Sequence, residues 1–336
     1  MITDHALTTV ALTLGDAAGI GPELLAKALS TTPVPERTAW VIVGDRWVWE
    51  RAQIFAKVQV PTTPVTGFAA ARIGLSFLEL PLLQSADVPL GQASAAAGRA
   101  ILRTLEFCLD AATAQQIQAI CFAPLNKQAM KLGGLRFDDE ASHFANYLGI
   151  TDFYCEFNTL GDLWTARVSS HIPLKNAAKY ITAERISAAA NLIHRALVAY
   201  GIARPVIAVA AFNPHGGDGG TCGREEVDVI APAVHALQAA GMDARGPFPA
   251  DTLFIKARAG EYHAVVTMYH DQGQIAIKLM GFERGVTVHG GLPIPITTPA
   301  HGTAYELAGT GTATTQAMIN ALSVATKMGT SSGAHA

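Results

Sequence analysis

Short apolar runs alternate with longer amphipathic segments along most of the chain. The runs at 10–14 (VALTL), 40–44 (WVIVG) and 117–124 (IQAICFAP) have the length and residue content of buried strands. Segments with helical spacing of apolar residues follow or precede them, as in PELLAKALS, DRWVWERAQIFA and the Ala-rich stretch 92–117. Strands that alternate with helices predict a largely parallel, doubly wound α/β sheet.

The second half of the chain continues this alternation. The pattern predicts a helix over 184–202 that ends at Gly201, then a strand and its outgoing loop over 205–215. It predicts another helix over 229–242, and a buried strand that runs into a polar turn over 263–273. Open α/β sheets bind ligands beyond the carboxyl ends of their strands. The polar segments that follow these strands are therefore the first places to look for a functional site.

The size and composition of the chain narrow the classes of protein to consider. Its 336 residues exceed what one hydrophobic core usually serves, so we expect two domains, or one large α/β unit split by a cleft. Half of the residues are hydrophobic and 15% are charged, which indicates a folded enzyme or binding protein. The 24 basic and 27 acidic residues are mixed along the chain, so a nucleic-acid partner is not expected.

The N-terminal sequence and the cysteines bear on location. The first residues carry two acids and no basic region, and no stretch reaches the roughly 18 apolar residues of a membrane span. Cys108, Cys121, Cys155 and Cys222 are scattered, which favours reduced thiols over a disulfide framework and leaves a catalytic cysteine open. We therefore expect a cytoplasmic protein that does not contact a membrane.

Three of the 11 histidines come directly after strand-like runs, in polar segments: His171, His215 and His270. Neutral imidazole is a common ligand of zinc and similar metals, and three histidines with one open position form a catalytic metal site. Their separations match no local metal motif, however. From spacing alone, histidines that only hydrogen-bond to their own turns remain the alternative.

Ionisable residues lie near these histidines in the sequence. Asp271 follows His270, and Asp251 stands in a Pro-Ala-Asp turn. Either carboxylate could bind a metal, fix the tautomer of a histidine, or cap a helix, and for Asp251 the helix cap is at least as good an interpretation. Lys278 could pair with a substrate anion or could be an ordinary solvated lysine.

Two glycine-rich stretches could bind phosphate groups. The first, LGDAAGIGPELL at 14–25, is not GxGxxG and lacks a Walker lysine, so it indicates a tight turn before a helix that starts with proline. The second, at 290–313, has glycine turns around a His-Gly pair and a short helix that begins between Ala304 and Ala308. Backbone N–H groups in such turns suit the diphosphate of a dinucleotide.

Seven segments in the same order resemble the 4-hydroxythreonine-4-phosphate dehydrogenase family, also called the PdxA family, over nearly the whole chain. They are GDAAGIGPEL, APLNK (123–127), HIPL (171–174), NPHGGDGG (213–220), GPFPADTLF (246–254), MYHDQG (268–273) and HGTAYELAG (301–309). The last is also similar to a dinucleotide-binding segment of isocitrate and isopropylmalate dehydrogenases. The resemblance implies two α/β subdomains around a cleft, one formed by 1–130 plus 295–330. The other, 131–294, would bind the metal and substrate and form the dimer interface.

The resemblance also assigns the site residues. It makes His171, His215 and His270 ligands of a divalent metal (zinc, cobalt, manganese or magnesium), with the third histidine supplied by the other subunit of an obligate homodimer. It places Asp251 and Asp271 beside the metal, Lys278 on the substrate, and Lys127 in a proton-transfer role. The residues implied to bind NAD, or NADP, are His301, Gly302, Thr303, Ala304 and Glu306.

The implied reaction is the metal-dependent oxidation of a hydroxy-carboxylic acid by NAD, with loss of CO2 from the resulting β-keto acid. The chain departs from the family where the family holds a phosphate: Glu140 and Ala141 replace His-Thr, Thr287 replaces asparagine, and Ile296 replaces arginine. These changes favour a relative that oxidises a non-phosphorylated substrate, such as a cis-dihydrodiol carboxylate, over the vitamin B6 step. A metal-binding regulatory protein without turnover is the alternative of another class.

Overall fold

The structure, a computed structural model, describes residues 7–332. Its strands are β1 (Thr8–Thr13), β2 (Thr38–Gly44), β3 (Thr63–Val65), β4 (Gly74–Glu79), β5 (Ala119–Phe122), β6 (Cys155–Leu160), β7 (Leu163–Arg167), β8 (Val206–Ala210), β9 (Asp243–Phe248), β10 (Ala264–Thr267), β11 (Val286–Gly290) and β12 (Ile296–Pro299). Its α-helices are α1 (Gly21–Thr31), α2 (Arg46–Ala56), α3 (Ala95–Thr113), α4 (Lys127–Gly133), α5 (Glu140–Tyr147), α6 (Ala183–Tyr200), α7 (Ala231–Ala239), α8 (Ala250–Arg258), α9 (His270–Gly281) and α10 (Gln316–Ser332).

The chain divides into two compact units. Unit 1 comprises residues 7–151 and 292–332, and unit 2 comprises residues 152–291. The first boundary lies after Thr151, whereas the family resemblance implies one after residue 130. The difference arises because α5 packs into the core of unit 1. Phe144 of this helix is fully buried with its ring centroid 6.0 Å from that of Phe122. Burial of such a side chain contributes about 1.5–3 kcal/mol, which ties α5 to unit 1.

Unit 1 has a parallel sheet in the order β3-β4-β2-β1-β5-β12. Its central strands β1 and β2 are buried along their whole length, as expected for a parallel sheet covered on both faces. The predicted strand and helix alternation is confirmed in this unit. Helix α10 continues through Ser332, the last described residue.

Unit 2 has a mixed sheet in the order β11-β6-β7-β10-β8-β9. Strand β6 runs antiparallel to both of its neighbours, whereas β7, β10, β8 and β9 are parallel. The predicted end of helix α6 is confirmed, since Gly201 follows it in the left-handed region with φ of 109°. Between residues 7 and 332, no helix combines the length and the apolar character that crossing a bilayer requires.

Candidate functional site

The histidines and acids of unit 2 gather at one edge of its sheet. The parallel strands β7, β8, β9 and β10 are neighbours, and each is followed within five residues by one of the predicted side chains. His171 follows β7, His215 follows β8, Asp251 follows β9, and His270 follows β10. Because the carboxyl ends of parallel strands meet at one edge, the fold delivers all four side chains to the same rim.

His171 and His270 come together within one chain. Their ring centroids lie 5.7 Å apart, beside a pocket of about 210 Å³ that Ser170, Ile172 and Tyr269 also line. A histidine nitrogen binds a divalent metal at about 2.0–2.1 Å, so two imidazoles on one ion have ring centroids no more than roughly 6 Å apart. The observed spacing therefore fits a pair of ligands on a single divalent ion.

Asp271 orients the His270 ring. Oδ1 of Asp271 lies 2.6 Å from Nδ1 of His270, and the two residues form the first turn of α9. A carboxylate at Nδ1 favours the tautomer that carries its proton there, which leaves Nε2 free as a metal ligand. Asp271 thus has the position of a partner that orients a ligand, one of the roles the sequence leaves open.

The segment from His270 to Gly273 is a helix and not the polar turn that the sequence predicts. Helix α9 begins at His270, directly after the extended residue Tyr269. Ile277 of this helix is buried against the core of unit 2. This packing contact, four residues beyond the polar segment, explains why the chain continues as a helix.

His215 lies in a loop with an unusual backbone. Five consecutive residues, 215–219, have left-handed φ values between 46° and 78°, and His215 and Asp218 are not glycines. Such backbone costs about 1–3 kcal/mol per non-glycine residue unless the surroundings enforce it. Gly217 is required here, since a Cβ atom at this position would lie 2.6 Å from Oε2 of Glu226.

Glu226, a residue that sequence reasoning missed, holds the loop in this conformation. Its buried carboxylate accepts hydrogen bonds from the backbone N–H groups of Phe212 and Asn213, both at 2.7 Å, and from Nδ2 of Asn213 at 2.9 Å. Burial alone would raise the pKa of Glu226, but the hydrogen bonds from Asn213 and Phe212 outweigh it and hold the pKa below the ordinary 4.5. A buried carboxylate thus anchors the start of the histidine loop.

This anchor predicts a pH-dependent stability. A folded-state pKa below the unfolded value stabilises the protein above pH 4.5, and the stabilisation is lost as the pH falls through the folded pKa. At pH 7, Glu226→Gln should lower the free energy of unfolding by about 1.5–3 kcal/mol, because charge-assisted hydrogen bonds are lost. Urea unfolding between pH 3 and 7 should show this deficit shrinking below pH 4.5.

Asp228→Asn is the matched control, since this exposed acid lies two residues further along and binds only Arg224 in the described chain. It should change the stability by no more than about 0.5 kcal/mol. A deficit for Glu226→Gln that stays constant from pH 7 to 3 would contradict the role of the ionised carboxylate.

Asp251 is the second residue of α8 and is exposed. Pro249 occupies the N-cap position without a side-chain hydrogen bond, so the interpretation of Asp251 as a helix cap is wrong. The helix start lies beside the histidine loop, since a Cβ atom at Gly216 would lie 3.8 Å from Cγ of Pro249. Asp251 is therefore placed next to the His215 loop.

Lys278 and Thr287 occupy different settings in unit 2. Lys278 lies two turns after His270 on α9, is exposed, and has its Nζ 5.6 Å from the ring centroid of Phe282. Thr287 lies in β11, and its Oγ1 accepts a hydrogen bond from Nδ2 of Asn158 at 3.2 Å. The oxygen of the same Asn158 side chain accepts from Arg167 at 2.8 Å. Thr287 is thus backed by a buried polar network that sequence reasoning missed.

In unit 1, the segment predicted to bind the dinucleotide packs against the N-terminal glycine turn. The hydroxyl of Tyr305 donates to Oδ2 of Asp16 at 2.6 Å, and the N–H of Ile20 donates to the carbonyl of Thr303 at 3.0 Å. Oε2 of Glu23 accepts from the N–H of Gly309 at 2.8 Å. The predicted tight turn before a helix that starts with proline is confirmed, and the turn is in addition a buried scaffold for the HGTAYELAG segment.

The pKa values of the two buried acids in this scaffold, Asp16 and Glu23, are shifted. Burial raises the pKa of Asp16, although the hydrogen bonds from Tyr305 and from the N–H of Ala18 act in the opposite direction. Burial also raises the pKa of Glu23. These carboxyl groups are engaged in fixing backbone, so we assign them to the scaffold and not to acid–base chemistry.

Four of the residues predicted to bind the cofactor, 301–304, lie between β12 and a single 3₁₀ turn, Tyr305–Leu307, which corresponds to the predicted short helix and contains the fifth, Glu306. Thr303 is buried and its Oγ1 accepts from Nδ2 of Asn126 at 3.3 Å. His301 is partly exposed, whereas Gly302 and Glu306 are exposed, and Ala304 has a left-handed φ of 39°. Among residues 7–332, no atom outside Gly302 and its two neighbours in the chain lies within 4 Å of a Cβ built at Gly302, so a ligand could approach this backbone closely.

Lys127 is exposed and is the first residue of α4. The preceding residue, Asn126, caps this helix through its side chain and contacts Thr303. Unit 1 therefore places the lysine of the APLNK segment beside the predicted cofactor segment.

The structure changes the interpretation of the predicted phosphate positions. Glu140 is the first residue of α5, which Asp139 caps, and Ala141 is only 6% exposed. Ile296 lies in β12, fully buried, and belongs to the hydrophobic core of unit 1. A side chain with no exposed surface cannot touch a substrate in this structure, so Ile296 as a substrate-binding residue is wrong.

The described residues of one chain do not supply a complete set of metal ligands. Between residues 7 and 332, no set of three or more His, Cys, Asp and Glu side chains converges closely enough to hold a metal ion. One chain thus forms the His171 and His270 pair but does not bring a third such side chain onto it.

Comparison with known proteins relates this chain to one family. The family of the pyridoxal phosphate biosynthetic protein PdxA matches residues 36–325. A protein of Pseudomonas aeruginosa, assigned by name to the 4-hydroxythreonine-4-phosphate dehydrogenases, is 46% identical over 332 residues, covering 96% of this chain and 97% of its own.

Two solved structures extend the comparison. A 4-hydroxythreonine-4-phosphate dehydrogenase from Burkholderia phymatum is similar with a TM-score of 0.81 and 35% identity, covering 96% of this chain and 98% of its own. A terephthalate 1,2-cis-dihydrodiol dehydrogenase from Burkholderia xenovorans is similar with a TM-score of 0.69 and 28% identity, covering 95% and 98%. Both extend over nearly the full length of the chain.

Proposed function

Because this chain belongs to the PdxA family and is a dehydrogenase, we propose that it oxidises the hydroxyl group of a hydroxy-carboxylic acid with NAD and a divalent metal. The observation that carries this proposal is the pairing of His171 with His270 at the rim where the parallel strands of unit 2 end. We propose the cytoplasm as its location, in keeping with its composition.

The metal would be held by His171, His215 and His270, with the ring of His270 oriented by Asp271. A divalent metal bound there would lower the pKa of the substrate hydroxyl and stabilise the negative charge that develops when CO2 leaves. Asp251, beside the His215 loop, would accept the hydroxyl proton.

The remaining roles, in binding the substrate, proton transfer and binding NAD, are proposed for two lysines and a backbone turn. Lys278 would pair with the substrate carboxylate, and Lys127 would return a proton to the carbon that loses CO2. The turn from His301 to Ala304, with Glu306, would bind NAD through its backbone and through the open space beside Gly302.

We propose a homodimer whose two subunits share each active site. Two large apolar side chains on α9 are exposed in the single chain, Ile275 by 59% and Leu279 by 83%, and Phe282, directly after the helix, is exposed by 44%. The spacing of four residues puts Ile275 and Leu279 on one face of the helix that begins with His270. Pairing of this face with a second copy would bury the apolar stripe and bring a ligand from the partner subunit to the rim.

Mixing of inactive variants tests the shared site. Because one chain holds both His171 and His270, we propose that His215, and not His270 as the resemblance implies, comes from the other subunit, and we expect His215→Ala refolded with His270→Ala to recover activity. In half of the dimers one of two sites would be complete, which predicts about a quarter of the wild-type rate. The mixture of His171→Ala with His270→Ala should stay inactive. If no pairwise mixture recovers activity although heterodimers form, each subunit builds its own site.

A second candidate differs in the substrate. Glu140 adds negative charge where the family holds a phosphate, and the position of the family arginine is filled by the buried core residue Ile296. This favours a non-phosphorylated hydroxy acid, such as a cis-dihydrodiol carboxylate, over 4-hydroxythreonine 4-phosphate.

The proposed function is tested by the absorbance of reduced NAD with a panel of hydroxy acids, phosphorylated and not, in the presence of zinc, cobalt, manganese or magnesium. Reduction of NAD that requires both a hydroxy acid and the metal is expected. A protein that binds metal but reduces no NAD with any member of the panel would be a regulatory homologue, and the proposal would be wrong.

A further inference from the structure

Gln272 uses both ends of its amide group on the backbone of other segments. Its Oε1 accepts a hydrogen bond from the N–H of Met268 at 2.7 Å, and its Nε2 donates to the carbonyl of Ala211 at 2.7 Å. The side chain is therefore committed to two backbone contacts, one of them 61 residues away in sequence.

These contacts join the strand ends that lead to the histidines. Met268 directly follows β10 and lies two residues before His270. Ala211 directly follows β8, four residues before His215. Gln272 itself lies in the first turn of α9, so one amide connects the His270 helix with both strand ends.

The third histidine segment also reaches the backbone of Met268. Ser169 lies two residues before His171, and its N–H and Oγ donate to the carbonyl of Met268 at 3.2 and 2.8 Å. The N–H of Met268 is thus held by Gln272 and its carbonyl by Ser169. All three histidine-bearing segments are therefore joined at the backbone of one residue, Met268, the His215 segment through the side chain of Gln272.

We propose that Gln272 is a positioning residue of the metal centre: within one chain it sets the placement of the His171–His270 pair and of the loop whose His215 would reach the site shared with the partner subunit. This rests on the proposed function, because it supposes that these histidines bind a divalent metal. Gln272 acts through the backbone, since its amide atoms already bind Met268 and Ala211. Partners that orient metal ligands in this way typically change metal affinity by about 10–100-fold when they are replaced.

The discriminating variant is Gln272→Glu, which keeps the shape and the acceptor for Met268. Its carboxylate has no N–H to donate and would face the Ala211 carbonyl with a negative charge. Gln272→Met removes both hydrogen bonds without adding charge. The matched control is Gln238→Glu, since Nε2 of Gln238 also donates to a backbone carbonyl, that of Ala244, at 2.7 Å.

The experiment titrates each full-length, metal-free protein with Co²⁺ and follows the visible absorption of the bound ion, with circular dichroism to verify folding. Both Gln272 variants should bind Co²⁺ about 10–100-fold more weakly than wild type and with altered spectra, while Gln238→Glu matches wild type. Amide exchange at Met268 should also become faster in Gln272→Met.

The outcomes separate this inference from the proposed function. Wild-type affinity and spectrum in folded Gln272→Glu and Gln272→Met would overturn the positioning role while the metal site stands. An equal loss in Gln238→Glu would also overturn it, because the effect would then be general. Failure of the wild-type protein to bind Co²⁺, Zn²⁺ or Mn²⁺ would overturn both this inference and the proposed function.

Discussion

Replacement of His171 or His270 by alanine is expected to abolish turnover while the protein remains folded. Loss of a bound metal removes several kcal/mol of charge stabilisation, and at about 1.4 kcal/mol per decade this lowers the rate by roughly three to four orders of magnitude. Both side chains are at least partly accessible, His270 by 38%, so the free energy of unfolding should change by no more than about 0.5 kcal/mol. Rates of NAD reduction and urea unfolding measure the two effects separately.

His235→Ala is the matched control, since His235 is an exposed histidine on α7, away from the rim. It should retain the wild-type rate. Full activity in a folded His171→Ala protein would show that the pair with His270 does not hold the ion.

Wild-type protein is expected to use 4-hydroxythreonine 4-phosphate poorly and a non-phosphorylated hydroxy acid well. A charge-assisted contact with a phosphate is worth about 1.5–3 kcal/mol, so the loss of two of them implies roughly two to four decades in kcat/KM. The family arginine cannot simply be restored, because Arg at the fully buried position of Ile296 would place an unpaired charge in the core.

Glu140 offers the cleaner test. Glu140→Gln removes the negative charge at the first turn of α5 and should raise kcat/KM for the phosphorylated compound by about tenfold, without a similar gain for the other substrate. Asp138→Asn is the control, since this carboxylate is 99% exposed and lies two residues earlier. A wild-type kcat/KM above about 10⁴ M⁻¹ s⁻¹ with 4-hydroxythreonine 4-phosphate would contradict the prediction.

Local patterns in the sequence predicted the elements and the positions of the histidines well. Apolar runs of strand length, separated by helical spacing, predicted β1, β2, β8 and β10, because a strand buried on both faces requires a continuous run of apolar residues. The histidines lie in the polar segments after these strands. Because parallel strands direct their carboxyl ends to one edge of the sheet, these segments lie at the same rim. The family resemblance then assigned roles that spacing alone left open.

Helix and domain boundaries required the tertiary structure. Helix α9 begins at His270 because residues further along it pack on the core of unit 2, and α5 belongs to unit 1 because Phe144 packs on Phe122. Ile296 is in the core because β12 pairs with β5 and packs in the hydrophobic core of unit 1. None of these depends on the residues adjacent in sequence.

Sequence by itself therefore determined the fold class, the family and which histidines stand at the rim, since each follows from neighbouring residues or collinear motifs. Only the tertiary structure showed that Gln272 joins the strand ends, that Glu226 anchors the His215 loop, and that Asp16 holds Tyr305. The hydroxyl of Tyr305 and the carboxylate of Asp16 are 289 residues apart in sequence. Hydrogen bonds of this kind depend on where the whole chain returns in space, and no local period records that.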